Sequence, residues 1–155
     1  MQTRYVDGVT IRPLRNGDAA TVAALFERLG AESRRRRFGT AKPRLSDAEL
    51  AQLARVDGTH HAIVAYLDGD RGPAGIARLV RDGDSAEVAF AVADEHQGRG
   101  IGRVLRDELE ALARAAGIRE LRAIVIGSNP RVVALMQAPQ ASWAGGELEL
   151  VTPLV

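Results

Sequence analysis

The chain has 155 residues, a formal net charge of +1, 46% hydrophobic and 26% charged residues, and no cysteine. That length fits a single domain over residues 1–155 with a sizeable core, and the small net charge excludes a global pull toward nucleic acid or membrane. Without cysteine there is no disulfide, thiolate nucleophile or cysteine-based metal site.

Val9–Leu14 reads as a strand ending near Asn16–Asp18. Asp18 then caps a helix whose apolar face is Val22, Leu25, Phe26 and Leu29, with Gly30 as the stop. Ala31–Phe38 is a short, very basic helical segment, and Lys42–Pro43 breaks it. Ser46 and Glu49 form a capping box, with Leu45 placed to staple onto Leu50, which starts a helix through about Val56. His61–Leu67, Pro73–Arg81 and Ser85–Ala93 are three strands separated by Asp68–Gly69 and Asp82–Gly83 turns, an antiparallel meander. A glycine-rich turn and a helix to about Ala116 follow, stopped by Gly117. Leu121–Ile126 is a strand, and the right-handed crossover rule places it parallel to Ser85–Ala93. Asn129–Pro130 opens a last helix, and a strand near Glu147–Leu154 closes the sheet.

The expected fold class is α/β, a mixed and mostly antiparallel sheet of six to seven strands with a parallel central pair and helices on both faces. No run of about 18 apolar residues occurs, and Met1–Thr10 lacks a leader pattern, so a cytoplasmic protein without a membrane segment is expected.

The most informative stretch is Glu95–Arg103, EHQGRGIGR, between an apolar strand and an amphipathic helix. Such a turn leaves backbone N–H groups unpaired at a helix N-terminus, where the dipole favours phosphate. A P-loop requires Gly-Lys-Ser/Thr, whereas Gly102 is followed by Arg103 and Val104. The dinucleotide fingerprint requires a third glycine where this chain has Arg103 or Leu105.

Gln97, Gly100 and Gly102 form Q-x-x-G-x-G, which resembles the acyl-CoA pyrophosphate loop of the GNAT superfamily of N-acyltransferases. The order meander, loop, helix, parallel strand, Asn-initiated helix is similar to that family from about Val9 to Met136. Glu32–Phe38, Leu45–Asp57 and Ala86–Gly102 further resemble the catalytic domain of bacterial Pat-type protein lysine acetyltransferases. The resemblance implies acetyl-CoA as cosubstrate and transfer of its acetyl group to a primary amine, a protein lysine, by direct attack in a ternary complex. A small-molecule amine or a protein N-terminus is the alternative acceptor, and a CoA-binding sensor without turnover the alternative function.

The resemblance assigns Gly98, Arg99, Gly100, Ile101, Gly102 and Arg103 to the pyrophosphate through their amides, together with Gln97 in the same loop. Phe90, Ala91 and Val92 would offer backbone groups to the pantetheine arm, and Asn129 would contact CoA while also capping a helix. Arg106 is either a phosphate contact or a solvated helix residue. Glu87, the one charge inside an apolar strand, matches the general base. A lysine ammonium of pKa about 10.4 must lose a proton before attacking a thioester, and burial is expected to raise the pKa of Glu87.

A tyrosine general acid is common seven residues after the family asparagine, but this chain has Met136 there, and its tyrosines are Tyr5 and Tyr66. The general acid is therefore unassigned. Arg34–Arg37 reads as a solvated charge run, with few aromatics nearby to stack bases, so nucleic acid is not an expected partner. His60, His61 and His96 lack metal-ligand spacing, so no metal is expected, and His96 reads as incidental. The expected assembly is a monomer or dimer.

Overall fold

Asp7 and Gly8, with φ of 51° and 81°, reverse the chain between β1 (Arg4–Val6) and β2 (Val9–Pro13). Two successive positive φ values give the turn type whose twist matches that of paired strands. This hairpin escaped the sequence reading because three residues are too few to show alternation. The computed structural model describes residues 2–126, 130–145 and 147–154.

The meander continues through β3 (His60–Leu67), β4 (Gly75–Asp82) and β5 (Ser85–Val92), each antiparallel to the one before. The second turn sits one residue later than expected: Asp82 pairs with Ser85, so Gly83 and Asp84 form the bend. Gly83 takes φ 62°, the left-handed geometry that suits the first position of such a two-residue loop.

Beyond β5 lie α4 (Ile101–Ala115) and β6 (Glu120–Ile126), and the crossover returns β6 parallel to β5 as expected. The terminal elements are α5 (Pro130–Met136), β7 (Gln140–Ala144) and β8 (Glu147–Pro153). The eight-stranded order is β1-β2-β3-β4-β5-β6-β8-β7. β8 inserts between β6 and β7, and β1 and β7 are the strands that raise the count above the six or seven expected.

Strand alternation sends side chains to opposite sides and builds two cores. On one side Val9, Ile11, Ile63, Ala65, Ala77, Leu79 and Val88 pack with Ile101, Leu105 and Leu109 of α4. On the other, Ala62, Val64 and Ile76 meet Val22, Leu25 and Phe26 of α1 (Ala19–Glu27). Leu45 and Ala54, flanking α3 (Asp47–Leu53), join that second core together with Leu50.

The capping signals act as read: Asp18 Oδ1 accepts from the Thr21 amide, and Ser46 and Glu49 close a reciprocal box. α3 nevertheless ends at Leu53, short of Val56. The basic helix α2 (Ala31–Phe38) packs over β5 and β6 and ends at Gly39 with φ 81°.

Candidate active site

Six consecutive backbone amides, from Gly98 to Arg103, donate to no described residue; pairing resumes with Val104 N–H to Gly100 C=O at 3.1 Å. Gly98 and Gly100 both hold φ 82°, which L side chains rarely adopt, and Gly100 is the N-cap of α4 with no side-chain cap. Gly102 differs. Its φ is ordinary, and a Cβ there would lie 3.6 Å from Leu135, in normal contact. Close approach of a ligand, rather than dihedral freedom, is what a glycine would serve at this position.

Gly98 and Gly100 to Arg103 border a cleft of about 620 Å³, lined also by Phe90, Ala91, Val92 and Gln97, whereas Arg99 does not line it. Its origin lies in the sheet. Parallel pairing of β5 with β6 stops at Glu87↔Arg122, after which β5 stays with β4 and β6 with β8. The Ala93 amide bonds Ala74 C=O on the β4 side, so alternation turns the main-chain groups of Phe90 and Val92 toward the gap.

The expected residues do not all present the same part of themselves. Ile101 is 1% exposed, its side chain in the core, leaving only its amide. Arg103 is exposed on the cleft wall. Arg99 is exposed, but its guanidinium turns toward His96 Nδ1 at 3.5 Å. Gln97 spends its side-chain amide on Val92 C=O and Ser33 Oγ, both at 3.1 Å, so it braces the loop against β5 and α2. Arg106 is tied to Leu135 C=O at 2.7 Å and to Asp107, joining α4 to α5 rather than sitting free on a solvated face. Asn129 lies outside the described residues.

Glu87 lines a second cavity of about 360 Å³ with Arg36, Arg37, Phe90, Ala123, Val132 and Glu147. Arg36, Arg37, Phe90 and Val132 border both spaces, so the cavities share a wall at the mouth of the splay. The expected burial of Glu87 is overturned: it is exposed, because α2 and the parting strands leave open space above it.

The reading of Arg34–Arg37 as a solvated run is also corrected. Arg34 stacks 4.0 Å over the Phe26 ring and donates to the carbonyls of Phe26 and Lys42. Arg37 has its guanidinium 4.9 Å over Phe38 and makes no hydrogen bond to a described residue. Burial, then the like charge of Arg78, pull Arg37 down to about 10, with Glu87 acting in the opposite sense. A signal was present in the sequence: successive helical residues step by about 100°, so four arginines encircle the helix and one must face whatever it packs on.

His96 is likewise not incidental. It is 7% exposed, with Nε2 2.7 Å from Asp70 Oδ2 and 2.9 Å from the Arg28 guanidinium. Arg28 also bonds Asp70 at 2.6 Å, Pro73 C=O at 2.9 Å, and Glu95. The Arg28 hydrogen bond, then those from His96 and the Gly72 amide, hold the Asp70 carboxyl well below its usual range. Asp70, Glu95 and His96 bring ligand atoms within 4.8 Å of one another. Arg28 already supplies the positive charge there, so the cluster is a latch holding the loop to the end of α1.

Met136 is 3% exposed in the main core. Tyr5 and Tyr66 lie on β1 and β3, and neither borders the two cavities. No helix among the described residues is long and apolar enough to cross a membrane.

Comparison with known proteins gives a consistent result. The family model described as acetyltransferase (GNAT) family matches residues 24–140. The acetyltransferase Pat of Mycolicibacterium smegmatis is 32% identical over 97% of this chain and 46% of its own length. An acetyltransferase of Pseudomonas aeruginosa is 32% identical over 78% of this chain and 68% of its own. The GNAT domain of S. lividans PAT superposes with a TM-score of 0.84 at 28% identity, covering 94% of this chain and 90% of that one. The chain thus spans about half the length of the mycobacterial relative it matches.

Proposed function

The chain belongs to the acetyltransferase (GNAT) family, and we propose that it moves an acetyl group from acetyl-CoA to a protein lysine ε-amine. The observation that carries this reading is the row of unpaired amides from Gly98 to Arg103 beside a cleft of about 620 Å³. Aligned N–H groups at the start of a 15-residue helix match a pyrophosphate. The Phe90 and Val92 backbone beside the gap suits an extended amide-bearing arm, which would lead the thioester to the wall shared with the smaller cavity.

There Glu87, which is exposed, would take the proton of the incoming ammonium, directly or through water. The neutral amine attacks the thioester carbonyl, the C–N bond forms and the C–S bond breaks, and solvent protonates the departing thiolate. Positioning and backbone electrostatics supply the rest, with no covalent intermediate on the enzyme. The lysine acceptor rests on the resemblance of Glu32–Phe38, Leu45–Asp57 and Ala86–Gly102 to Pat-type enzymes; a small amine or an N-terminus is the alternative acceptor. A module that binds acetyl-CoA without turnover is the second reading, favoured by Met136 standing where a tyrosine general acid is common.

The test is CoA release from acetyl-CoA with lysine-containing proteins and with small amines, alongside calorimetry of acetyl-CoA binding. Acceptor-dependent release supports the enzyme. Tight binding without release supports the module, and no binding overturns both.

A further inference from the structure

The smaller cavity is charge-segregated. Arg36 and Arg37 of α2 stand on one side, and Glu87 of β5 and Glu147 of β8 on the other. Arg36 Nε lies 3.3 Å from the exposed Glu32 carboxylate, an ion pair by distance that lacks hydrogen-bond geometry. Arg37 has no ion-pair or hydrogen-bond partner among the described residues, and Glu87 influences it only at longer range. Arg37 is half-buried on the cavity wall, and a guanidinium there with no carboxylate of its own can receive one in bidentate contact.

An acceptor bearing only an ammonium would answer the two carboxylates and leave Arg37 unmatched. One carrying an ammonium and a nearby carboxylate would answer both walls.

We propose that the acceptor lysine is flanked by an aspartate or glutamate whose carboxylate Arg37 receives, so that α2 selects acidic lysine contexts. This rests on the lysine acetyltransferase reading above. Arg37 then serves as a specificity determinant, and Glu87 meets the amine. The reason for the position of Arg37 is geometric: α2 packs against both β5 and β6, and Arg37 lines both cavities together with Phe90.

The experiment uses the full chain, acetyl-CoA, and two peptides differing only in glutamate or glutamine beside a single lysine. The value read is the ratio of kcat/KM for the two peptides. A charge-assisted contact predicts a preference for the glutamate peptide of about tenfold, falling to near unity in Arg37→Gln. Both peptides are measured on one preparation, so partial misfolding cancels from the ratio. Arg37→Met keeps the packing stem and replaces Arg37→Gln if the latter does not fold.

A wild-type ratio near one, or a ratio that survives loss of Arg37, would overturn the inference while leaving lysine acetylation intact. If neither peptide is acetylated while a small amine drives CoA release, the lysine reading fails and this inference with it.

Discussion

Glu87 and Arg122 form the last rung of the parallel ladder between β5 and β6. A side chain at that rung stands where the sheet opens. It is the one acidic residue of β5, and it borders the smaller cavity while the loop amides border the larger.

Glu87→Gln is therefore expected to lower kcat by about 10²–10⁴-fold, the usual worth of a general base, with little change in acetyl-CoA affinity. CoA-release kinetics combined with calorimetry check this. Activity within twofold of wild type would remove Glu87 from the chemistry.

Gly100 and Gly102 should separate strain from ligand contact. Gly100→Ala forces a side chain into φ 82° and is expected to cost about 1–2 kcal/mol of stability in urea denaturation. Gly102→Ala meets only Leu135 at 3.6 Å and should leave the urea midpoint unchanged while raising KM for acetyl-CoA. An unaltered KM would show that nothing approaches Gly102 closely.

Asp70→Asn probes the latch through pH. The folded pKa of Asp70 is depressed, chiefly by Arg28, so its stabilising contribution is present in full above the unfolded value. That contribution is lost as pH falls below about 4 toward the lower folded value. The difference in Tm between wild type and Asp70→Asn should be largest near neutrality and shrink in acid. A difference that persists undiminished at about pH 3, below the ordinary carboxylate pKa, would mean that packing and not charge holds the loop.

Gly75 lies beneath α4 where the helix seats on the sheet. A Cβ there would lie 2.9 Å from Leu105 Cδ1 and 3.1 Å from the Ala91 carbonyl. Overpacking of this kind costs about 1–3 kcal/mol, so Gly75→Ala should lower the urea midpoint by the corresponding amount. An unchanged midpoint would mean that α4 can lift without penalty.

Much of this was legible locally. The caps at Asp18 and Ser46, the left-handed turn at Gly83 and the unpaired amides around Gly100 follow from residue chemistry over a few positions. β1 and β7 were missed because each is stabilised by its hairpin partner rather than by a pattern of its own. Insertion of β8 between β6 and β7 reflects long-range pairing that no local signal encodes.

By itself, then, the chain determined its two-sided strands, its helix boundaries to within a few residues, and a glycine loop suited to a diphosphate, all of which depend on short-range sterics and hydrogen bonding. Only the tertiary structure decided that Glu87 is open to solvent, that Arg37 turns inward and that His96 joins a latch. Those outcomes are set by which distant elements pack together: a side chain's burial and its electrostatic partners belong to the assembled space around it, which neighbouring residues along the chain do not specify.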